Sequence, residues 1–149
     1  MKKGLKISEI VLLIPSLSGI SLQMLDISLG GKIMIVALNL LALFYVIFGF
    51  KLYAQPDTPK LAGFASVMAG LAIWANMCGI QFGALKWPGY ELMFLKALIV
   101  SVTLLVIGVG ISATKVSFKK YRTFYYDLFL RYGISLLLLG LVYMLNGTL

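Results

Sequence analysis

The sequence predicts an all-α polytopic membrane protein, a helical bundle with about five transmembrane helices. The 149 residues are 61% hydrophobic, whereas soluble domains contain roughly 45–50% apolar residues, and the mean hydropathy is +1.00. Five apolar stretches approach or reach the length of about 20 residues that crosses a bilayer core. These stretches are residues 7–25, 33–53, 61–85, 92–113 and 124–145.

The first stretch is the least apolar of the five, because Glu9, Pro15 and several serines dilute it. A basic start followed by the short apolar run Ile10–Ile14 is also typical of a signal peptide. No small-x-small cleavage site with a polar mature start follows. We therefore expect a transmembrane helix, with a cleaved signal as the alternative.

The other four stretches are joined by short polar connections. Ala54–Lys60 contains two prolines, which end a helix, and Lys115–Arg122 is basic. Short connections place neighbouring helices side by side as antiparallel pairs. We expect one transmembrane domain that covers residues 1–149.

Lys and Arg residues predict the orientation, because cytoplasmic loops retain positive charge. Alternating helices would leave only Lys32 and Lys86 in the loops of one side, and Trp87 and Tyr90 would mark that outer interface. The sequence therefore predicts a bacterial inner-membrane protein with a cytoplasmic N-terminus and a periplasmic C-terminus. The net charge is +8. The Lys and Arg side chains of the loops are expected to set the topology and to contact membrane lipids, so we expect no nucleic-acid partner. The basic residues of the cytoplasmic side are Lys2, Lys3, Lys6, Lys51, Lys60, Lys115, Lys119, Lys120 and Arg122.

The composition argues against an enzyme. The chain has no His and only five acidic residues, so the usual groups for acid–base catalysis, metal binding and haem ligation are scarce. Cys78 lies in the middle of a predicted helix, which is typical of a small packing residue. We expect no catalytic site, no metal site and no cofactor.

The sequence contains a weak internal match at a spacing of about 60 residues, which is typical of a repeat. Gly19–Leu25 aligns with Gly79–Leu85, and after a one-residue offset Gly30–Met34 aligns with Gly89–Met93. A unit of two helices returns to its starting side, so the copies are expected to be parallel. Chance matching among apolar residues is the alternative. The predicted units are hairpin repeat 1 at residues 7–53 and hairpin repeat 2 at residues 61–113, followed by a C-terminal helix at residues 124–145.

Residues 79–93 end one helix and begin the next around a Trp-Pro-Gly turn at Trp87, Pro88 and Gly89. With Gly79 and Phe82, this turn resembles the first hairpin of GldL-type proteins, membrane components of gliding motility and type IX secretion in Bacteroidota. The resemblance covers residues 61–113 and, more faintly, residues 7–53. The resemblance implies a membrane hairpin in such machinery. That family has a membrane-embedded Glu in its second helix, whereas residues 92–113 contain no acid. Ion-driven motor activity is therefore not expected.

Small residues form one stripe along the third predicted helix, at alternating spacings of four and three residues. This stripe is typical of a helix-packing or partner interface in lipid. Asn76 lies within it and needs an interhelical partner, because an unmatched amide in hydrocarbon costs several kcal/mol; Asn39 is the expected one. The stripe consists of Ala65, Ala69, Ala72, Asn76, Gly79 and Gly83.

Charged residues near the predicted helix ends suggest further contacts. Asp127 and Arg131 have the i, i+4 spacing of an ion pair within one helix, and the alternative is a docking point for another subunit. Lys96 is expected to pair partly with Glu91 or to extend towards the outer headgroups. Glu9 is expected to pair with the nearby Lys6 or with interfacial water.

The leading hypothesis is a non-catalytic inner-membrane subunit. It would assemble through intramembrane helix packing with itself or with a larger membrane complex, gliding or secretion machinery being one such complex. The alternative is a small transporter or channel, in which Asn39, Asn76 and Lys96 form a polar intramembrane site. That alternative predicts a polar cavity at mid-depth.

Overall fold

The computed structural model describes residues 2–53, 59, 62–113 and 120–148. It contains five helices that are long and apolar enough to cross a membrane, so the chain is a multi-pass membrane protein and the predicted all-α fold is confirmed. The predicted connection Ala54–Lys60, except Pro59, and residues 114–119 of the basic connection lie outside the described residues. The helices are α1 (Lys2–Met24), α2 (Ser28–Tyr53), α3 (Ala62–Ala84), α4 (Tyr90–Ala113) and α5 (Arg122–Thr148).

Helix α3 lies at the centre of the bundle. It packs against α2, α4 and α5, while α1 packs mainly against α2. In α3, 56% of the residues of the span are buried, compared with 22% in α1 and 17% in α4. Most of the surface of α1 and α4 therefore faces lipid or another protein.

The six residues of the predicted small-residue stripe are all buried in α3. A Cβ added at Gly79 would lie 2.6 Å from a methyl group of Leu139 and 2.9 Å from the Cβ of Ala97. A Cβ at Gly70 would lie 2.9 Å from the Cα of Val46. Small residues thus allow α2, α4 and α5 to approach the backbone of α3 closely.

The turn between α1 and α2 and the turn between α3 and α4 begin with the same backbone geometry, at a spacing of 60 residues. Asp26 and Lys86 both adopt a positive φ, of 56° and 50°, where a helix ends with Schellman-type hydrogen bonds. The spacing of 60 residues equals that of the predicted repeat, which stays a prediction, and the hydrogen bonds match without a one-residue offset as far as Gly30 and Tyr90. Three backbone hydrogen bonds recur in the two turns. In the first turn, the N–H groups of Asp26, Ile27 and Gly30 donate to the carbonyl groups of Gln23, Leu22 and Ile27, respectively. In the second turn, those of Lys86, Trp87 and Tyr90 donate to the carbonyl groups of Gly83, Phe82 and Trp87.

The turn between α3 and α4 also contains the Trp-Pro-Gly sequence. Gly89 has a φ of +79°, which glycine adopts without steric cost. Trp87 is 41% exposed and its ring lies edge-on against Phe82, with ring centroids 4.9 Å apart. The turn thus carries an aromatic side chain of the type that lies at membrane interfaces.

Candidate functional site

An ion pair joins α1 to α5 within the membrane-spanning part of the bundle. The Nε and Nη2 atoms of Arg131 donate hydrogen bonds to the Oε1 and Oε2 atoms of Glu9, at 2.5 and 2.9 Å. Both side chains are largely buried, with exposed fractions of 15% and 12%. This paired arrangement is the strong, geometrically specific form of an Arg–carboxylate interaction.

Two further residues complete this ionic cluster, which consists of Glu9, Tyr45, Asp127 and Arg131. The Tyr45 hydroxyl donates to Oε1 of Glu9 at 2.8 Å. The Nη1 atom of Arg131 donates to the backbone carbonyl of Asp127 at 3.1 Å and lies 3.9 Å from its Oδ1 atom. With both acids and the arginine ionised, the cluster has a formal charge of −1. Three helices, α1, α2 and α5, contribute to it.

The cluster lies at a similar depth on each of these helices. Glu9 is seven residues from the first residue of α1, and Arg131 is nine residues from that of α5. At a rise of about 1.5 Å per residue, these positions lie about 10 and 14 Å along their helices. Ionisable side chains at such a depth are costly and are therefore expected to be matched or functional.

The partners of these charges differ from those predicted from the sequence. The expected pairing of Glu9 with Lys6 is wrong, because α5 brings the guanidinium of Arg131 to Glu9. The predicted Asp127–Arg131 ion pair is present only as the longer contact of 3.9 Å. The sequence places Glu9 in the first stretch and Arg131 in the fifth, both near the same predicted membrane side. Their pairing could not be predicted from this, because it depends on which helices are neighbours.

A groove separates α1 from α5 around the ionic cluster. No described Cα atom of α1 lies within 8 Å of a Cα atom of α5, so the ion pair bridges a gap between the two helices. The part next to the cluster is lined by Glu9, Asp127 and Arg131, and a narrower, mainly apolar part extends to Ile20 and Leu138. The groove therefore combines an apolar interior with one charged end.

A second polar network joins α3, α4 and α5. The amide nitrogen of Asn76 donates to the hydroxyl of Ser135 at 2.9 Å, and that hydroxyl donates to the Tyr132 carbonyl at 2.8 Å. The Tyr132 hydroxyl lies 3.3 Å from the hydroxyl of Ser101. The Asn76 oxygen is buried without a partner among the described residues. These contacts tie the centre of α3 and α4 to α5.

The predicted polar site of Asn39, Asn76 and Lys96 is not assembled. Asn39 donates to the carbonyl of Ile35 in its own helix at 2.7 Å, and Lys96 is exposed on α4. The expected interhelical partner of Asn76 exists, but it is Ser135 rather than Asn39, because the Asn76 side of α3 is covered by α5. The predicted polar cavity at mid-depth is therefore wrong for these three residues.

The chemistry available in these clusters is limited. Among the described residues, no three His, Cys, Asp or Glu side chains are close enough to hold a metal ion. Arg131 remains charged at any physiological pH, and the hydroxyl groups of the second network are hydrogen-bonded within the bundle. The arrangement can hold helices together or recognise a polar group at the charged end of the groove.

Comparison with protein-family models, with curated proteins and with solved structures finds no match for this chain. The functional possibilities consequently follow from the two polar clusters and from the surfaces that the bundle exposes.

Proposed function

We propose that the chain is a non-catalytic subunit of the bacterial inner membrane that assembles through intramembrane helix packing with itself or with a larger membrane complex. One observation carries this proposal: α5 links the polar side chains of all four other helices. Arg131 holds Glu9 of α1 and, through it, Tyr45 of α2. Two further residues of α5, Ser135 and Tyr132, meet α3 and α4.

The hydrogen bonds inside the bundle support this proposal. Interhelical hydrogen bonds and close packing drive helix association in lipid, and the Asn76 network lies between packed helices. The ionic cluster instead bridges the groove between α1 and α5 and ties these two helices together. The two networks join all five helices into one unit, whose function would depend on the surface that it presents to other membrane proteins.

The orientation and the identity of the complex belong to the same proposal. Positive charge in the connections of one side favours a cytoplasmic N-terminus and a periplasmic C-terminus. The resemblance of residues 79–93 to the hairpin of GldL-type proteins favours gliding or secretion machinery as the complex. Both points can be checked on the intact protein in its native membrane.

The test is to crosslink native membranes that contain a tagged chain, extract them in a mild detergent and identify the assembly by native mass spectrometry. The expected result is a homo-oligomer or a stoichiometric complex with larger subunits. Crosslinking before extraction preserves assemblies that detergent would dissociate. A chain that stays monomeric both in crosslinked membranes and in native mass spectrometry would refute the proposal.

A second function, that of a small transporter, is favoured by the charged end of the groove between α1 and α5. Such a protein would move a solute along this groove, with Glu9 and Arg131 at its cytoplasmic end. The test is solute flux into proteoliposomes, comparing the unmodified chain with Glu9→Gln. Flux that requires Glu9 would support transport, whereas equal flux in protein-free liposomes would argue against it.

A further inference from the structure

The charged end of the groove between α1 and α5 contains an acid that accepts no hydrogen bond. The Asp127 carboxylate lines the groove beside Glu9 and Arg131. Its side chain is 32% exposed and lies 3.9 Å from Nη1 of Arg131, but it accepts no hydrogen bond within the described part of the chain. The guanidinium instead donates to both carboxylate oxygens of Glu9. The excess negative charge of the ionic cluster therefore lies at Asp127.

A lysine lies at a similar depth on the groove side of α1. Lys6 comes seven and eleven residues before Leu13 and Leu17, which line the groove, and at 3.6 residues per turn the three positions lie within about 40° around the helix axis. Lys6 is exposed and forms no ion pair with any described residue. It lies about 6 Å along α1, and Asp127 lies about 7.5 Å along α5. The mouth of the groove thus offers one cation and one anion.

The rest of the groove has the length and the lining of an acyl-chain site. From Glu9 to Ile20, α1 rises by about 16 Å, which is close to half of the hydrocarbon core of about 30 Å. Leu13 and Ile134 line both the part beside the ionic cluster and the narrower apolar part. Because the Glu9–Arg131 ion pair crosses the groove, a third helix could not lie along it without breaking that pair. An acyl chain is thin enough to pass alongside the pair.

We infer that this groove binds one phospholipid with a primary ammonium headgroup, of the phosphatidylethanolamine type. The ammonium group donates hydrogen bonds to the Asp127 carboxylate, and the phosphate pairs with Lys6. One acyl chain lies along Leu13 and Ile134 towards the middle of the membrane. The inference goes beyond the proposed assembly function and does not depend on it.

Charge complementarity favours this lipid over others of the bilayer. The headgroup carries one negative and one positive charge, which match Lys6 and Asp127. Phosphatidylglycerol would offer Asp127 only neutral hydroxyl groups, and the quaternary ammonium of phosphatidylcholine has no N–H to donate. Hydrogen bonds between ionised groups are the stronger ones, and an acid within a span is costly unless it is matched. A primary ammonium group meets both requirements.

Lipid titration of the purified, delipidated chain tests the headgroup preference. Phosphatidylethanolamine, phosphatidylcholine and phosphatidylglycerol with identical acyl chains are added in turn, and bound lipid is counted by native mass spectrometry. The expected result is one phosphatidylethanolamine per chain, bound about fivefold more tightly than either of the others. Binding of all three lipids with equal affinity would overturn the inference.

Two variants assign the charges separately. Asp127→Asn should abolish the preference for phosphatidylethanolamine over phosphatidylcholine, whereas Lys6→Gln should weaken all three lipids by about fivefold, because each contains the phosphate. The matched controls are Glu91→Gln and Lys32→Gln, both at exposed positions, and each should change affinity by less than about twofold. Glu91 forms no ion pair within the described residues, so its expected pairing with Lys96 is wrong and this control breaks no pair. An Asp127→Asn chain that keeps the preference would overturn the inference.

A photoreactive phosphatidylethanolamine with a diazirine on one acyl chain locates the site. Irradiation followed by peptide mass spectrometry should place the label on the groove sides of α1 and α5, at Leu13, Leu17, Ile134 or Leu138. A label confined to α3 and α4 would overturn the groove as the site. Circular dichroism of each variant confirms that its helices form. If lipid binding fails while the chain still assembles in crosslinked membranes, only this inference fails and the proposed function stands.

Discussion

Replacing Arg131 should expose how strongly the ionic cluster stabilises the bundle. Arg131→Met removes both hydrogen bonds to Glu9 and leaves a largely buried carboxylate that only Tyr45 still contacts among the partners described above. Each hydrogen bond to a charged group contributes about 1.5–3 kcal/mol, and breaking a buried ion pair costs about 3–5 kcal/mol. Because the side chains retain some exposure, we expect a loss of about 3 kcal/mol in the free energy of unfolding.

The double variant Glu9→Gln with Arg131→Met distinguishes an unmatched charge from a packing defect. Gln keeps an acceptor for Tyr45 and removes the charge, so the double variant should lie within about 1 kcal/mol of the unmodified chain. The assay is reversible unfolding in mixed micelles, followed by circular dichroism as the fraction of SDS rises. Lys32→Met, at an exposed position, is the control and should change stability by less than about 0.5 kcal/mol. A double variant as unstable as Arg131→Met would refute this account.

Three further substitutions test the packing, the second network and the turns in the same unfolding assay. Gly19→Ala puts a Cβ 2.6 Å from a backbone nitrogen of α2 and should cost about 1–3 kcal/mol; Gly133→Ala, with open space around its Cβ, should be close to neutral, and equal losses would contradict the packing argument. Ser135→Ala removes the acceptor of the buried Asn76 amide and should cost about 1–3 kcal/mol, so an unchanged midpoint would count against that hydrogen bond. Lys86→Gly relieves a positive φ and should stabilise by about 0.5–1 kcal/mol; a loss instead would show that the Lys86 side chain contributes more than the backbone strain.

The helices could be predicted from the sequence because the signal for a transmembrane helix is local. Hydropathy over about 20 residues identifies each span without reference to any other part of the chain. The ends of the helices are predicted less accurately from hydropathy: α1 begins at Lys2 rather than Ile7, and α5 extends to Thr148. Helical hydrogen bonds continue past the apolar stretch into the polar ends of the spans, where hydropathy gives no signal.

For the contacts between helices, the sequence could predict that a polar group needs a partner but not which residue that partner is. A mid-membrane amide requires a partner, so a partner for Asn76 was foreseeable. Its identity was not, because Asn39 and Ser135 are both polar residues at a suitable depth and only the arrangement of helices distinguishes them. The same limit applies to Glu9, whose partner is 122 residues away in the chain.

Helix α5 supplies partners that the described residues of the two hairpins do not. Among those of the first hairpin, Glu9 has the Tyr45 hydroxyl but no ion-pair partner, and among those of the second, Asn76 has no side-chain hydrogen-bond partner. Both groups obtain their partners from α5, through Arg131 and Ser135. A hairpin inserted alone would therefore carry an unmatched charge or amide in hydrocarbon, at a cost of several kcal/mol. We therefore expect the stable unit in the membrane to be the five-helix bundle closed by α5 rather than either predicted hairpin.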